Sequence, residues 1–225
     1  MDLLELKKEQ LKLAPKIVLK DNFTRIKTIG GIDCVAVGQK LLACVVICEF
    51  PSLKVLEAKT YCLDNPLPYR PAFEAYREMP AMIEAYNQVQ QEPDVLLVDG
   101  AGILHPRRLG LASHLGLALN RATIGVSDSL PIGRVEKGKI FLGTDVVGFE
   151  ITTREFSNPI YVSPGHLVSL GTVLNLIGQL IRPPHKLPEP LHLAHKIAKR
   201  KGKGEQAVVS DMGSNGSSQT MMVLS

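Results

Sequence analysis

The stretch that decides the fold covers residues 27–62 and reads KTIGGIDCVAVGQKLLACVVICEFPSLKVLEAKTYC. Three apolar runs divide it, each about as long as a β-strand, at residues 27–37, 40–49 and 53–62. A Gly-Gln pair separates the first two runs and a Pro-Ser pair separates the last two. Because connections this short join antiparallel neighbours, the stretch predicts a three-stranded antiparallel meander.

The segments on either side predict helices and shorter strands. The predicted helices cover residues 1–20 (where Pro15 ends or interrupts the pattern), 72–91, 108–119 and 167–181. Later strands are predicted at residues 95–98, 122–126 and 160–162, with a surface hairpin over 134–153 that turns at 137–138. Short apolar strands that alternate with helices favour parallel pairing. The predicted α/β sheet, three antiparallel strands followed by parallel strands and flanked by helices, has the element order of the ribonuclease-H-like architecture.

The composition favours one domain with a tail. Residues 1–200 are interpreted as a single domain, whereas residues 201–225 are rich in Gly, Ser and Lys and predict a disordered tail. Apolar residues make up 45% of the 225 and aromatic residues 5%, with no Trp, so the core must be mostly aliphatic. The net charge of +4 permits a nucleic-acid partner without requiring one.

The cysteines and the apolar stretches bear on the compartment. No two of the four cysteines form a CxxC pair, which favours buried, reduced thiols in a reducing compartment: Cys34, Cys44, Cys48 and Cys62. No stretch approaches the roughly 20 apolar residues of a membrane span, and no secretory signal is visible. We therefore expect a protein without membrane contact, in the cytoplasm or, in a eukaryote, also the nucleus.

Two acidic residues stand in apolar runs, where a carboxylate is unfavourable unless it is paired or binds a metal. Asp33 lies inside a long run with no turn signal for several residues, so a turn role explains it poorly. Asp99 ends a short run and precedes Gly100, where a turn explains it as well as a functional role does. Glu78, on a predicted helix, taken alone is a solvated carboxylate. No spacing rule links the three.

These carboxylates form a site only if the fold brings them together. Open α/β sheets place their sites at the carboxyl ends of strands, and Asp99 is predicted there. Mg²⁺ takes oxygen ligands and keeps several waters. In such a site it activates the attacking water and stabilises the leaving oxygen during phosphodiester cleavage.

Further polar groups leave two interpretations each. His166 is expected to open the last helix, either as an incidental residue or as a metal ligand or proton carrier. The run His105–Pro106–Arg107–Arg108 is either a basic helix start or a phosphate clamp. The stiff loop Pro68–Tyr69–Arg70–Pro71 presents either a packed tyrosine or a rigid wedge between bases.

Five stretches together resemble the endonuclease V family, which cuts nucleic acid near deaminated adenine. They are GGIDCVAV at 30–37, PYRPAFEAYREMP at 68–80, VDGAGILHPRRLGLASHLG at 98–116, TIGVSDSL at 123–130 and YVSPGHLVSL at 161–170. The third stretch is long and specific, and all five follow the family's order over most of residues 1–182. The resemblance implies a ribonuclease-H-like fold.

The resemblance also implies roles for individual residues. It implies that Asp33, Glu78 and Asp99 hold Mg²⁺, or Mn²⁺ in its place, and that His166 completes the catalytic group. It implies that Tyr69 separates the strands and that the hypoxanthine base is flipped into a pocket, with cleavage at the second phosphodiester on its 3′ side. Flipping is easiest for a weakly paired base, which is a source of selectivity. We expect the small residues Gly100, Ala101 and Gly102 to let the backbone approach that base.

One departure from the family's pattern is Asp128, which stands where the family usually carries a lysine. Lys137 or Lys139 from the predicted hairpin could supply the missing cation. The complete set of Asp33, Glu78, Asp99 and His166 favours a working inosine-directed endonuclease. The alternative is a weakly active or inactive protein of the same fold that binds inosine or distorted nucleic acid. The expected partner is DNA, RNA or both, with no obligate protein partner, so the chain is expected to be a monomer.

Overall fold

The predicted antiparallel meander is present and forms one side of a larger sheet. The computed structural model describes the backbone of residues 2–214 and the side chains of residues 2–204. Within these residues the strands are β1 (Thr28–Val37), β2 (Lys40–Glu49), β3 (Val55–Leu63), β4 (Val95–Asp99), β5 (Thr123–Ser127), β6 (Arg134–Glu136), β7 (Lys139–Leu142), β8 (Asp145–Ile151) and β9 (Ile160–His166). The helices are α1 (Leu3–Leu13), α2 (Glu74–Tyr86), α3 (Leu111–Leu119), α4 (Leu170–Leu180) and α5 (Glu189–Ser214).

The sheet is mixed and has the strand order β3-β2-β1-β4-β5-β9-β8-β7-β6. Strands β1, β4 and β5 are parallel, and their neighbours on both sides pair antiparallel. Three antiparallel strands therefore lead into parallel strands, as the sequence predicted. The ribonuclease-H-like fold is confirmed.

The core lies on both faces of this sheet. One face packs against α4 and α5, and the other packs against α2 and α3. Strand β2 is buried at every position from Leu41 to Cys48 because helices cover both of its faces. This explains why its sequence is continuously apolar rather than alternating. The buried side chains are mostly aliphatic, as the composition predicted.

Several predicted boundaries need correction. Helix α1 ends at Leu13, where a 3-10 turn containing Pro15 replaces the predicted continuation to residue 20. Helix α2 is shorter than predicted at both ends, and α3 begins only at Leu111. The predicted hairpin has its turn at 137–138 but is followed by a third strand, β8.

Helix α5 is the one long element that the sequence analysis missed. It runs to Ser214, so the predicted disordered tail is helical from residue 201 to residue 214. The first residues of the predicted tail also pack against the sheet. Gly202 lies against Val37, and the Lys201 ammonium donates a hydrogen bond to Thr60 Oγ1 (2.8 Å). The rest of that predicted tail, residues 215–225, lies outside the described residues.

Two expectations about the chain's chemistry can be compared with the structure. None of the four cysteines, all of which lie within the described part, forms a disulfide. Cys44 and Cys48 are buried, and burial raises the pKa of their thiols to about 12 and about 11. Among residues 2–214, no helix is both long and apolar enough to cross a membrane.

Candidate active site

The parallel pairing of β1 with β4 brings two of the predicted carboxylates together. Ile32 pairs with Val98 in the register, so Asp33 and Asp99 follow as neighbours on adjacent strands. Asp33 is 3% exposed although it lies in the middle of β1. Asp99 ends β4, at the carboxyl edge of the parallel strands where open α/β sheets place their sites.

Helix α5 runs along β1 and places a histidine over these carboxylates. The backbone of Pro190 and Leu191 approaches Gly31 so closely that a Cβ on that glycine would collide with it. One helical turn further along α5, His195 lies beside Asp33, two residues further along β1. The distance from Leu191 to His195 along α5 and the distance from Gly31 to Asp33 along β1 are both about 6 Å. The close contact at Gly31 therefore sets the position of His195.

Asp33, Asp99 and His195 form a compact group of possible metal ligands. One ligand atom from each lies within 4.8 Å of those of the other two. The Nδ1 atom of His195 is 2.7 Å from Asp33 Oδ2, and the backbone N–H of Cys34 donates to Asp33 Oδ1 at 2.7 Å. Two carboxylates and an imidazole are a donor set that suits a divalent cation.

The electrostatics of the group indicate an excess of negative charge. Burial and the neighbouring Asp33 carboxylate raise the pKa of Asp99. Burial, followed by the charges of Asp33 and Glu74, raises the pKa of Glu78 to about 7. The hydrogen bond with Asp33 raises the pKa of His195. A cation placed among these groups would stabilise their ionised forms.

A cavity of about 580 Å³ adjoins the group. Eight of the residues predicted for the site line it: Asp33, Tyr69, Pro71, Glu78, Asp99, Gly100, Ala101 and His105. Tyr69 is 58% exposed at the cavity, and its hydroxyl lies 3.4 Å from the Glu74 carboxylate. That carboxylate also accepts a hydrogen bond from the Ala72 N–H (2.9 Å), which holds the loop 68–72 against the start of α2. Pro68 and Arg70 are exposed on the same loop.

The structure does not bring His166 to this group, and the prediction about its position was wrong. His166 ends β9 instead of opening a helix, and it pairs with Thr123 at the amino end of β5. Asp99 pairs with Val126 at the opposite end of β5, about 10 Å further along the strand. The His166 Nδ1 atom instead accepts a hydrogen bond from the Val18 N–H (3.3 Å). The histidine beside the carboxylates is His195.

The predicted phosphate clamp is engaged with the protein itself. His105 is buried next to the Ala72 carbonyl, and burial lowers its pKa to about 4. The Arg107 guanidinium donates to Gln10 and to the Ala72 carbonyl and stacks on the Phe73 ring.

Arg108, which follows it, forms an exposed ion pair with Asp145 (3.0 Å). These contacts tie α1, the loop before α2 and the hairpin to the segment 100–110. They therefore account for the basic run without a phosphate.

The small residues after Asp99 have mixed roles. Gly100 and Ala101 line the cavity. A Cβ on Gly102, however, would meet the Pro164 carbonyl, and the Gly102 N–H donates to Ser163 Oγ (3.0 Å). Gly102 is therefore needed for packing against β9, and its backbone approaches the protein rather than the cavity.

Asp128 has a cation beside it that the sequence analysis did not anticipate. Ser127 and Ser129 line the cavity, whereas the Asp128 carboxylate accepts a hydrogen bond from the Lys186 ammonium at 2.8 Å. Lys186 lies in the segment between α4 and α5 and not in the hairpin that carries Lys137 and Lys139. A lysine thus stands next to the position where the resemblance implied one.

The fold and the acidic residues beside the cavity define an α/β protein with a ribonuclease-H-like core and a candidate metal site. A family model, Endonuclease V, matches residues 11–196. The chain belongs to the endonuclease V family.

Relatives in that family share about a third of their residues with the chain. Endonuclease V of Rippkaea orientalis is 36% identical over 211 residues, which cover 88% of this chain and 90% of that protein. Endonuclease V of Trichormus variabilis is 38% identical over 200 residues, covering 84% and 90%.

Solved structures give the same result for the fold. The catalytic domain of human Endonuclease V matches with a TM-score of 0.82 and 26% identity, covering 91% of this chain and 97% of that one. Ciona intestinalis Endonuclease V, in complex with a 23mer DNA containing an inosine followed by a ribo-adenosine, matches with a TM-score of 0.81 and 27% identity, covering 90% and 97%.

Proposed function

We propose that the chain is a metal-dependent endonuclease that cleaves DNA or RNA at the second phosphodiester 3′ to inosine. The observation that carries the proposal is the group Asp33–Asp99–His195, placed by three separate elements beside a cavity of about 580 Å³. That volume falls within the usual range for binding pockets of small molecules, which suits one flipped base. The Ciona relative, crystallised with inosine-containing DNA, supports this choice of substrate.

Mg²⁺ is the proposed ion, with Mn²⁺ as a substitute. Asp33, Asp99 and Glu78 would hold it, because Mg²⁺ prefers carboxylate oxygens and the raised pKa values of Asp99 and Glu78 reflect uncompensated negative charge. When bound, the ion supplies activation of water and stabilisation of the leaving oxygen.

His195 is the proposed proton carrier. With its Nδ1 bonded to Asp33, a proton on that nitrogen fixes the tautomer and leaves Nε2 available. The Nε2 atom can take a proton from the attacking water or give one to the leaving oxygen. Asp33 therefore has two tasks, as a ligand through one part of its carboxylate and as the group that orients His195 through the other.

Tyr69 and its neighbours are the proposed contact with the bases. The loop 68–71 presents an exposed aromatic ring at the cavity, and two prolines stiffen it. Such a ring can fill the space that a flipped base leaves in the stack. Residues 1–200 act as one catalytic domain, as a monomer and without an obligate protein partner.

The test is a cleavage assay with the full chain. The substrates are end-labelled DNA, DNA with one ribonucleotide after the lesion, and RNA, each with inosine and with a matched adenosine. We expect Mg²⁺-dependent cleavage between the first and second nucleotides on the 3′ side of inosine, no cleavage of the adenosine strands and none with a chelator. Asp99→Asn should abolish cleavage while the circular dichroism spectrum stays unchanged. A folded wild type that cuts none of the inosine strands would overturn the proposal.

The alternative, an inosine-binding protein that cuts poorly, is not favoured. The acid at position 128 is the feature that favours it, but the Lys186 ammonium lies 2.8 Å from that carboxylate. The acid is thus accompanied by a cation at the same edge of the sheet.

A further inference from the structure

The loop between β8 and β9, residues 152–159, lies at the same edge of the sheet as the candidate active site. Strand β9 is antiparallel to β5 and pairs Tyr161 with Ser127, so its first residues lie beside the carboxyl end of β5. Strand β8 ends next to them, because Ile151 pairs with Ile160. The loop that joins these two ends is therefore two to three strand spacings from β4, or about 10–14 Å.

This β8–β9 loop carries an aromatic side chain with no cover in the described part of the chain. Phe156 is 98% exposed, the highest exposure of the large apolar side chains among residues 2–204. Its backbone has a φ of +58°, a conformation that is rare for a bulky residue. Exposure and strain together are unfavourable unless the ring has a partner, and such strain concentrates at functional sites.

The ring is presented by an anchored turn. Ser157 Oγ donates a hydrogen bond to the Arg154 carbonyl (3.0 Å) and closes the turn around Phe156. The Thr153 hydroxyl donates to the Lys186 carbonyl (2.7 Å), and the Arg154 guanidinium donates to the Pro184 carbonyl (3.4 Å). The loop is thus fastened to the segment that places Lys186 beside Asp128.

The charged side chains near the ring are two cations and two acids. The cations Arg154 and Lys186 flank the loop, and the acids Glu155 and Asp128 accompany them. Lys186 and Asp128 offset each other, and Glu155 follows Arg154 directly in the chain, so these charges cancel in number. The case for nucleic acid therefore depends on the exposed ring and its place beside the candidate active site, because single-stranded nucleic acid stacks its bases on such aromatic side chains.

We propose that Phe156 stacks on an unpaired base of the nucleic-acid substrate, a few nucleotides from the base held in the cavity. The inference rests on the proposed function, because the cavity fixes one point of the strand. A separation of about 10–14 Å corresponds to three or four steps of 3.4 Å along a strand. The strand then has two aromatic contacts, with Tyr69 at the cavity and Phe156 beyond the metal site.

The first test uses the fact that the chain has no Trp. Phe156→Trp introduces a single indole at the tip of the loop, and stacking on a base quenches its fluorescence. We expect the indole fluorescence to be quenched when an inosine-containing oligonucleotide binds in the presence of a chelator, which prevents cleavage. The matched control is Leu56→Trp, which is 41% exposed on β3 near the opposite edge of the sheet and should not be quenched.

The second test measures affinity by fluorescence anisotropy with labelled inosine oligonucleotides of decreasing length. Phe156→Ala should weaken binding of the long strand about tenfold, a typical loss for one stacking contact. It should not affect a strand too short to reach the loop, and Phe156→Trp should bind as tightly as the wild type. Normal binding of the long strand by Phe156→Ala, with no quenching in Phe156→Trp, would overturn the proposal.

Three further outcomes separate this proposal from the proposed function and from binding to a lipid surface. A fluorescence response of Phe156→Trp to vesicles of phosphatidylcholine with phosphatidylserine, without a response to oligonucleotides, would assign the loop to a lipid surface and also overturn the proposal. If the wild type bound and cut inosine strands while the Phe156 variants showed no change in affinity and no quenching, the proposal about Phe156 would be overturned and the proposed function would remain. If the wild type bound no oligonucleotide, both would fall.

Discussion

The Nδ1 atom of His195 lies 2.7 Å from Oδ2 of Asp33, although 162 residues separate the two in the chain. The contact joins the last helix to the middle of the first strand. Because the carboxylate orients the imidazole, the proton-carrying role proposed for His195 depends on the position of α5. Substitution of His195 tests the role of the imidazole, and substitution of Gly31 tests its dependence on the position of α5.

His195→Ala should lower the cleavage rate by about 10²–10⁴-fold, the usual contribution of a positioned proton carrier. The melting temperature should fall modestly, because the Asp33 side chain, which is 4% exposed, loses a hydrogen-bonding partner. His192→Ala is the matched control from the preceding turn of α5. The His192 ring stacks on the His185 ring, with 3.6 Å between their centroids. Single-turnover cleavage and thermal melting separate the two effects.

The same assay examines the histidine that the sequence had favoured. His166→Ala should lose stability, because it removes the acceptor for the Val18 N–H, but should keep the cleavage rate of the folded fraction. A rate as low as that of His195→Ala, in a variant with native melting behaviour, would contradict the site described above.

Gly31→Ala should displace α5 from β1. The new Cβ would collide with the backbone of Pro190 and Leu191, and backbone cannot move aside as a flexible side chain can. We expect a loss of about 1–3 kcal/mol in the free energy of unfolding, typical of overpacking. We also expect lower activity, because His195 moves with the helix.

Gly178→Ala is the control for that variant. Gly178 lies inside α4, and a Cβ there would meet nothing within 4 Å. It should raise the free energy of unfolding by about 0.5–1 kcal/mol through helix propensity alone. Urea denaturation measures both changes, and equal effects of the two substitutions would contradict the role given to Gly31.

The sheet could be predicted from the sequence because its signal is local. Strand β2 shows a continuous apolar run, and Asp33 was conspicuous as a carboxylate inside a strand. The short turns between β1, β2 and β3 predicted that these strands pair antiparallel. The position of Asp99 followed from the edge rule for α/β sheets, whereas only the resemblance to the family joined Asp33 and Glu78 to it.

The position of His195 could not be predicted in the same way, because it depends on a contact across the whole chain. Disorder was predicted only for residues 201–225, but no helix was predicted between residues 182 and 200, although Leu191, Ala194 and Ala198 are buried at helical spacing. That spacing was the signal available for α5. His166 attracted attention instead because it lies in a conspicuous motif, which the structure explains by packing of β9 against Gly102.

The metal-free protein should become less stable as the pH rises through the range in which Glu78 ionises. The pKa of Glu78 is about 7 in the folded chain, against an ordinary value of 4.5, because burial and neighbouring acids disfavour its charge. Between these two values the folded state binds more protons than the unfolded state, so stability falls with increasing pH. The loss attributable to Glu78 is about 3 kcal/mol at most, since one pKa unit corresponds to about 1.4 kcal/mol.

Glu78→Gln should remove this part of the pH dependence. Urea denaturation in a chelator at pH 5 and pH 8 measures it as the difference between wild type and variant, so that other groups cancel. Added Mg²⁺ should stabilise the wild type at pH 8 more than the variant, because a cation stabilises the ionised carboxylate. A wild type and variant with parallel pH profiles in the chelator would show that Glu78 ionises normally.

The ion pair between Asp128 and Lys186 should matter for binding and not for stability. Asp128 is 70% exposed and Lys186 26% exposed, and exposed ion pairs contribute about 0–1 kcal/mol to folding. We expect Lys186→Gln to weaken binding of an inosine oligonucleotide in a chelator, because it leaves Asp128 uncompensated near the bound phosphates. Asp128→Asn should strengthen binding, because it releases the ammonium from its partner.

The salt dependence of the dissociation constant distinguishes a phosphate contact from a general charge effect. If Lys186 contacts one phosphate, Lys186→Gln lowers the slope of log Kd against log salt concentration by about one. Lys54→Gln, at an exposed lysine just before β3, changes the net charge equally and should leave the slope unchanged. The double variant Asp128→Asn with Lys186→Gln should bind like Lys186→Gln or somewhat more tightly. If both lysine variants altered the slope equally, the effect would come from net charge, and Lys186 would have no phosphate contact of its own.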